Sequence, residues 1–206
     1  MAIGTLYIIS APSGAGKTSL ITELLTSVEG LEVSVSHTTR GMREGEVDGK
    51  HYHFVSADEF ELGIADGLFL EHANVFGNYY GTSRASIHQR LDAGVDVILE
   101  IDWQGAQQIR QLEPSVRSIF ILPPSVEELE KRLRKRNQDS DEVISRRVAQ
   151  AKEDVTHFVD YDHVIINDDF DTALDNLRSV FKSQRTNLDK VQQRNPAFFS
   201  ALLNQA

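Results

Sequence analysis

The chain has no cysteine, which excludes a disulfide framework, a thiol nucleophile and a zinc site built on thiolates. No stretch approaches the roughly 18 apolar residues needed to span a bilayer. The opening MAIGTLYIIS lacks the basic segment and long apolar run of a secretory leader, so a cytoplasmic protein without membrane attachment is expected. Positive charge is scarce: 21 Lys and Arg face 31 Asp and Glu, for a formal net charge of −10. Such a body repels a polyanion at long range and argues against nucleic acid as a partner. The seven histidines show no metal-ligand spacing such as HExxH, and His37, His51, His53 and His72 read as polar packing groups.

What is present suits one compact unit of 206 residues. Five of the six residues from Lys131 to Arg136 are basic, and Arg146 and Arg147 follow. A local cationic patch on an acidic body favours a small anionic ligand. Short apolar runs at 5–11, 95–101, 116–122 and 162–167 have the near-continuous hydrophobicity of strands buried on both faces, as in a parallel sheet. Helical patterns separate most of them, which predicts an α/β fold with right-handed crossovers.

Two segments break the alternation. Residues 33–83 hold the strand-like VSVSHTT and HYHFVS around a polar insert, then a helical piece at 57–67 and the aromatic NVFGNYYGTS. They read as a small inserted mixed α/β subdomain. Residues 125–157 are helical and highly charged, with NQDSDE as a turn, and read as a hinged lid. A helix over about 170–194 places Phe170, Leu174, Leu177, Phe181, Leu188 and Val191 on one face, to pack on the body or to meet a partner.

The strongest motif runs Ala11, Pro12, Ser13, Gly14, Ala15, Gly16, Lys17, Thr18. A phosphate loop has glycine, four residues, then Gly-Lys-Ser/Thr. Ala11 replaces its first glycine, while Gly14 and Gly16 stand where backbone must wrap closely. Successive amides and the following helix N-terminus then face phosphate oxygens. Lys17 is placed to reach the β- and γ-phosphates, and Thr18 to bind Mg²⁺. A chance glycine-rich turn explains the glycines but not Lys-Thr at a helix start, where a cation opposes the dipole unless an anion is near.

The inserted region narrows the acceptor. Arg40 and Arg43, with Tyr52, Tyr79 and Tyr80 in the same segment, make a clamp for a phosphate dianion. Taken singly, each is an ordinary surface charge or packing ring. Glu71 sits beside an apolar run, and its carboxylate suits the adjacent N1–H and N2–H₂ donors of guanine. Hydroxyls at Ser36 and Thr82 suit the guanine O6. Glu100 and Asp102 share one face at the carboxyl end of their strand, which lines the ligand crevice of an open α/β sheet, although Asp102 is also placed to cap the next helix.

At this point APSGAGKT, SVSHTTR, GEVDGKHYHFV, FLEHANVFGNYYGTS, EIDWQGAQQIR and VIINDD together resemble guanylate kinase, bacterial type, over about 4–186. The resemblance implies a P-loop parallel-sheet core (4–32, 84–124 and 158–184) with helices on both faces. It also implies a GMP-binding subdomain at 33–83, a helical lid at 125–157, and a C-terminal tail at 185–206. It implies transfer of the γ-phosphoryl of ATP to GMP with Mg²⁺, in guanine nucleotide recycling. Arg40, Arg43, Tyr52 and Tyr80 match the family's acceptor-phosphate residues, and Ser36, Glu71, Thr82 and Asp102 its base contacts. Arg132, Arg136 and Arg147 most nearly match its lid arginines, and Thr18 its metal ligand, with Glu100 acting through water.

The chain departs from the family pattern in two places. Lys135 and Asn137 flank Arg136 where glycines are common, and Met42 stands where a proline is common. Two other readings stay open on sequence: a guanylate-kinase-like interaction module, against which intact Gly16-Lys17-Thr18 argues, and a kinase for a ribose bisphosphate. A homo-oligomer is compatible with either.

Overall fold

The computed structural model describes residues 4–75, 77–135 and 140–204. Its elements, in chain order, are β1 (Leu6–Ser10), α1 (Lys17–Ser27), β2 (Leu31–Val33), β3 (His37–Thr38), β4 (His53–Phe54) and α2 (Ala57–Ala65). Then come β5 (Phe69–Val75), β6 (Asn78–Ser83), α3 (Arg84–Asp92), β7 (Asp96–Glu100), α4 (Trp103–Leu112) and β8 (Arg117–Leu122). The chain continues through α5 (Val126–Lys135), α6 (Asp141–Val155), a 3-10 turn (Thr156–Asp160), β9 (His163–Ile166), α7 (Phe170–Arg185), α8 (Leu188–Arg194) and α9 (Pro196–Leu203).

A five-stranded sheet in the order β2-β7-β1-β8-β9 is parallel throughout. Alternation along each strand divides its side chains between two cores. Tyr7, Ile9, Ile98, Ile119 and Ile121 point to one face, where α1 supplies Leu20 and Leu24 and α7 supplies Leu174, Leu177 and Phe181. Leu6, Ile8, Val97 and Leu99 point to the other, under Ile87 of α3 and Ala106 and Ile109 of α4. Burial on both faces is why these strands read as continuous apolar runs. The edge strand β2 has only three residues, too few for periodicity to reveal; it pairs with β7 through Val33↔Ile98.

A second, mixed sheet runs β4-β3-β6-β5. Helix α2 covers it, with Ser56 and Glu59 forming a capping box and Phe60 stacked on Phe69 at 4.3 Å and on Tyr79 at 5.2 Å. Strand β5 lies at this sheet's edge and touches α4, joining the two sheets.

The C-terminal helix is shorter than its hydrophobic spacing predicts. Helix α7 ends at Arg185, where the Thr186 hydroxyl donates to the Ser183 carbonyl and the Asn187 side chain caps α8. These local bonds compete with continuation of the helix. Leu174, Leu177 and Phe181 are buried as expected, whereas Phe170 and Leu188 are exposed.

Asp96, at the amino end of β7, is 1% exposed. It accepts from the Thr5 amide at 2.8 Å, Arg185 Nε at 3.0 Å and Arg194 Nη2 at 3.4 Å, tying α7 and α8 to the sheet. Losing the carboxylate strands two partly covered guanidiniums and a buried amide. Asp96→Ala is therefore expected to cost roughly 2–4 kcal/mol. The melting temperature should fall by roughly 5–15 °C. Michaelis constants should stay at wild-type values, because four residues of strand put about 13 Å between Asp96 and Glu100. A change in nucleotide affinity at unchanged melting temperature would contradict this.

Candidate active site

The turn between β1 and α1 takes its shape from two glycines: Gly14 and Gly16 both have φ of 93°. A side chain at Gly16 would be strained by this dihedral and would also lie 2.3 Å from Asn167 Nδ2. That Nδ2 donates to the Ala15 carbonyl at 2.7 Å, so Asn167, just past β9, braces the loop from behind. Lys17 Nζ lies 3.6 Å from Glu100 Oε1, and the Thr18 hydroxyl donates to the same oxygen at 3.1 Å.

Glycine loop, β7 end and second sheet enclose one cleft of about 340 Å³. Of the residues singled out from sequence, Ala11–Gly14, Gly16–Thr18, Ser36, Arg43, Tyr52, Glu71, Tyr80, Glu100, Asp102 and Arg147 line it. Gln150 and Asp154 of α6 line it too, although the sequence did not mark them. Burial raises the Asp154 carboxyl above the usual range, and the charges of Asp102 and Glu153 add to the effect. A second cleft, of about 440 Å³, opens on the other side of the loop between Gly14, Arg132, Asn167 and Phe170. Arg132 donates to the Asn167 carbonyl at 3.1 Å. Thus Arg147 and Arg132 face different clefts, and Arg136 lies outside the described residues.

Arg40 does not line either cleft. Its fork pairs with Glu46, Nη2 to Oε1 at 2.7 Å and Nη1 to Oε2 at 3.0 Å, and Glu46 Oε2 also accepts from the Arg43 amide at 2.7 Å. Hydrogen bonds from Arg40 hold the Glu46 carboxyl below the usual range. The guanidinium carbon of Arg40 lies 5.4 Å from the Tyr52 ring centre. Glu46 thus organises both arginines. Spacing gave it no distinction among the acids of the polar insert, so the sequence reading missed it. Asn167 was legible only as part of VIINDD.

Glu71 is 3% exposed. Its Oε1 accepts from the Thr82 hydroxyl at 2.6 Å, and Thr82 lies 3.3 Å from the Ser36 hydroxyl. Thr82 does not line the cleft itself; it stands behind Glu71. Burial pushes the Glu71 carboxyl up to about 7, against the bonds from Thr82 and with help from the charge of Asp102. Asp102 does cap α4, accepting from the Gly105 amide at 3.0 Å, and Oδ2 also accepts from Gln104 at 3.0 Å. Capping and a place in the cleft are therefore compatible.

The guanylate kinase family profile matches residues 3–184. The chain belongs to the guanylate kinase family. Guanylate kinase of Escherichia coli K12 is 59% identical over 205 residues, covering 98% of this chain and 99% of its own length. That of Salmonella typhi is 58% identical over the same span. The crystal structure of guanylate kinase from Anaplasma phagocytophilum superposes with a TM-score of 0.75 at 33% identity, covering 95% of this chain and 97% of that one.

The Glu71 carboxyl binds its proton more tightly folded than unfolded, where it titrates near 4.5. The stabilisation is whole below 4.5 and lost as pH rises through about 7. Glu71→Gln removes that loss. The stability difference between variant and wild type should move in the variant's favour by roughly 3 kcal/mol between about pH 4 and about pH 8. Denaturant titration at both pH values measures it, and a difference independent of pH would mean the carboxyl titrates normally.

Proposed function

We propose that the chain transfers the γ-phosphoryl group of ATP to GMP, giving ADP and GDP. The observation that carries this reading is a single cleft lined by the phosphate loop on one wall and by Arg43, Tyr80, Ser36 and Glu71 on the other. Donor and acceptor sites in one cavity are what direct transfer requires. The acceptor phosphate is already anionic near neutral pH, so positioning and charge neutralisation carry the reaction, without a covalent nucleophile.

Each group then has a task. Loop amides and Lys17 hold the donor phosphates. Arg43 and the Tyr52 and Tyr80 hydroxyls hold the acceptor phosphate; Arg40, paired with Glu46 outside the cleft, is assigned with them by resemblance. Glu71 and Ser36 read guanine, with Asp102 beside them; Thr82, which the sequence also marked for the base, instead braces Glu71 from behind. Arg147 in the main cleft and Arg132 beside the loop neutralise charge, and Arg136 is assigned with them by resemblance. Residues 125–157 act as a lid that excludes water, a competing acceptor. The cofactor reading is Mg²⁺. Thr18 and Glu100 offer a hydroxyl and a carboxylate side by side at the loop, the hard oxygen donors that ion takes. They would hold it, directly or through water, and when bound it offsets phosphate charge. Among the described residues no group of three or more His, Cys, Asp or Glu is placed to cage a metal alone. A cytoplasmic role in guanine nucleotide recycling accords with this reading. Among the described residues no helix is long and apolar enough to cross a membrane.

An ADP-release assay across AMP, GMP, dGMP, CMP, UMP and a ribose bisphosphate tests the assignment. GMP should dominate, and Lys17→Ala should cut turnover at least ~100-fold on an intact fold. Preference for the ribose bisphosphate would favour that kinase, and ATP binding without turnover on any acceptor would favour the interaction module.

Arg43→Ala should raise the KM for GMP roughly 10- to 150-fold, the value of a charged hydrogen bond of about 1.5–3 kcal/mol. The KM for ATP should hold. An equal loss for both nucleotides would move Arg43 to the donor side.

A further inference from the structure

Strand β5 is the outer edge of its sheet, so every second residue turns an unpaired N–H and C=O outward. At His72 both groups are taken by one side chain of the other sheet's layer. Gln108 Nε2 donates to the His72 carbonyl at 2.8 Å, and Gln108 Oε1 accepts from the His72 amide at 3.2 Å. The primary amide acts as a one-residue strand added to the edge. One turn earlier on α4, a Cβ at Gly105 would lie 2.6 Å from Glu71 Oε2 and 3.2 Å from Glu71 Cδ. The Glu71 carboxyl therefore rests on bare helix backbone. Between Phe69 and Glu71 the pairing of β5 with β6 slips by a residue, an irregularity of the kind that re-aims a side chain.

We propose that Gly105 and Gln108 are positioning residues for the acceptor base: Gln108 locks the His72 peptide, Gly105 leaves room for the carboxyl beside it, and together they set where Glu71 meets the base. This rests on the reading that Glu71 recognises guanine. Neither residue lines the cleft; Gly105 abuts Glu71 and Gln108 bonds its neighbour His72, so their route to the base runs through Glu71. A bulged strand with a free edge has several local conformations, and the clamp leaves one. Thr82 fixes one carboxyl oxygen from the far side, at 2.6 Å, and the Gly105 face bounds the other. A purely architectural role, docking the small sheet on α4, requires neither the closeness at Gly105 nor bonds to both groups of the residue next to Glu71.

The test uses the full chain with Gln108→Met, which keeps length and loses both bonds, and Gly105→Ala. Melting temperature and steady-state constants for GMP, AMP and ATP are measured for each, for Glu71→Gln and for the double variant Gln108→Met/Glu71→Gln. Gln108→Met and Gly105→Ala should each lower kcat/KM for GMP by roughly 10- to 100-fold, the scale of a small misplacement in a binding site. The preference for GMP over AMP should fall in parallel, with the KM for ATP within two-fold of wild type. In the double variant the preference should match that of Glu71→Gln alone, because two changes acting through one group are not additive.

A lower melting temperature with unchanged preference in both single variants would overturn the proposal and leave the residues architectural. Losses that multiply in the double variant would also overturn it. Should Gln108→Met fail to fold, Gly105→Ala decides by the same readings. If Glu71→Gln itself leaves the preference unchanged, the guanine reading fails first; if it collapses the preference and the α4 variants do not, only the positioning role fails.

Discussion

The arrangement of this site depends on keeping a carboxyl group almost wholly buried at the wall of a cleft. Ionising Glu71 there costs free energy, and one hydroxyl donor, Thr82, offsets it in part. The carboxyl also lines the cleft, with Oε2 against the Gly105 backbone. A buried acid placed so discriminates between ligands. A ligand with two adjacent donors can pair with such a group, whereas one presenting a lone pair meets an uncompensated charge. The neighbourhood is built around holding the group still: a β-bulge turns it, bare helix backbone at Gly105 bounds it, and the hydroxyls of Thr82 and Ser36 form a chain behind it.

The cationic side of the site follows the opposite logic. Its charges are not buried alone but provisionally paired: Lys17 and Thr18 with Glu100, Arg40 with Glu46. These pairs hold long, flexible side chains near their working positions and limit the entropy lost on binding. A phosphate binding there would compete with Glu100 for Lys17 and with Glu46 for Arg40, which favours ligands carrying several charges at once. The loop itself is braced without charge, through the Asn167 amide.

Much of this was legible beforehand. Strands buried on both faces and the glycine loop show directly in hydrophobic runs and in Gly-Lys-Thr, because each is a local pattern with a local cause. Residues marked by their own chemical type, Arg43, Tyr80, Glu71 and Glu100, do come together in one cleft. The site was not legible where a residue acts through a contact distant in sequence. Glu46 reads as one acid among several until the insert folds back on Arg40, and Gln108 reads as a polar helix position until β5 arrives beside it. The break at Thr186–Asn187 escaped for a related reason. Apolar spacing continues through it, while the hydroxyl and amide that end α7 compete only over a few residues.

A composition of 31 acids against 21 cations predicts a surface of repelling charge, yet three of those acids show how little the sum says about roles. Asp96 and Glu100 begin and end the same strand. Asp96 is enclosed by an amide and two guanidiniums and has nothing left to offer a ligand. Glu100 is partly open and shared between a lysine and a threonine, as suits a group that must exchange partners. Glu71, on the other sheet, is paired with no cation among the described residues. Along β7 the order runs from an enclosed acid at the amino end to a shared one in the cleft at the carboxyl end. Parallel topology makes that separation possible, because every β-to-α turn with a free helix N-terminus opens on the same side of the sheet.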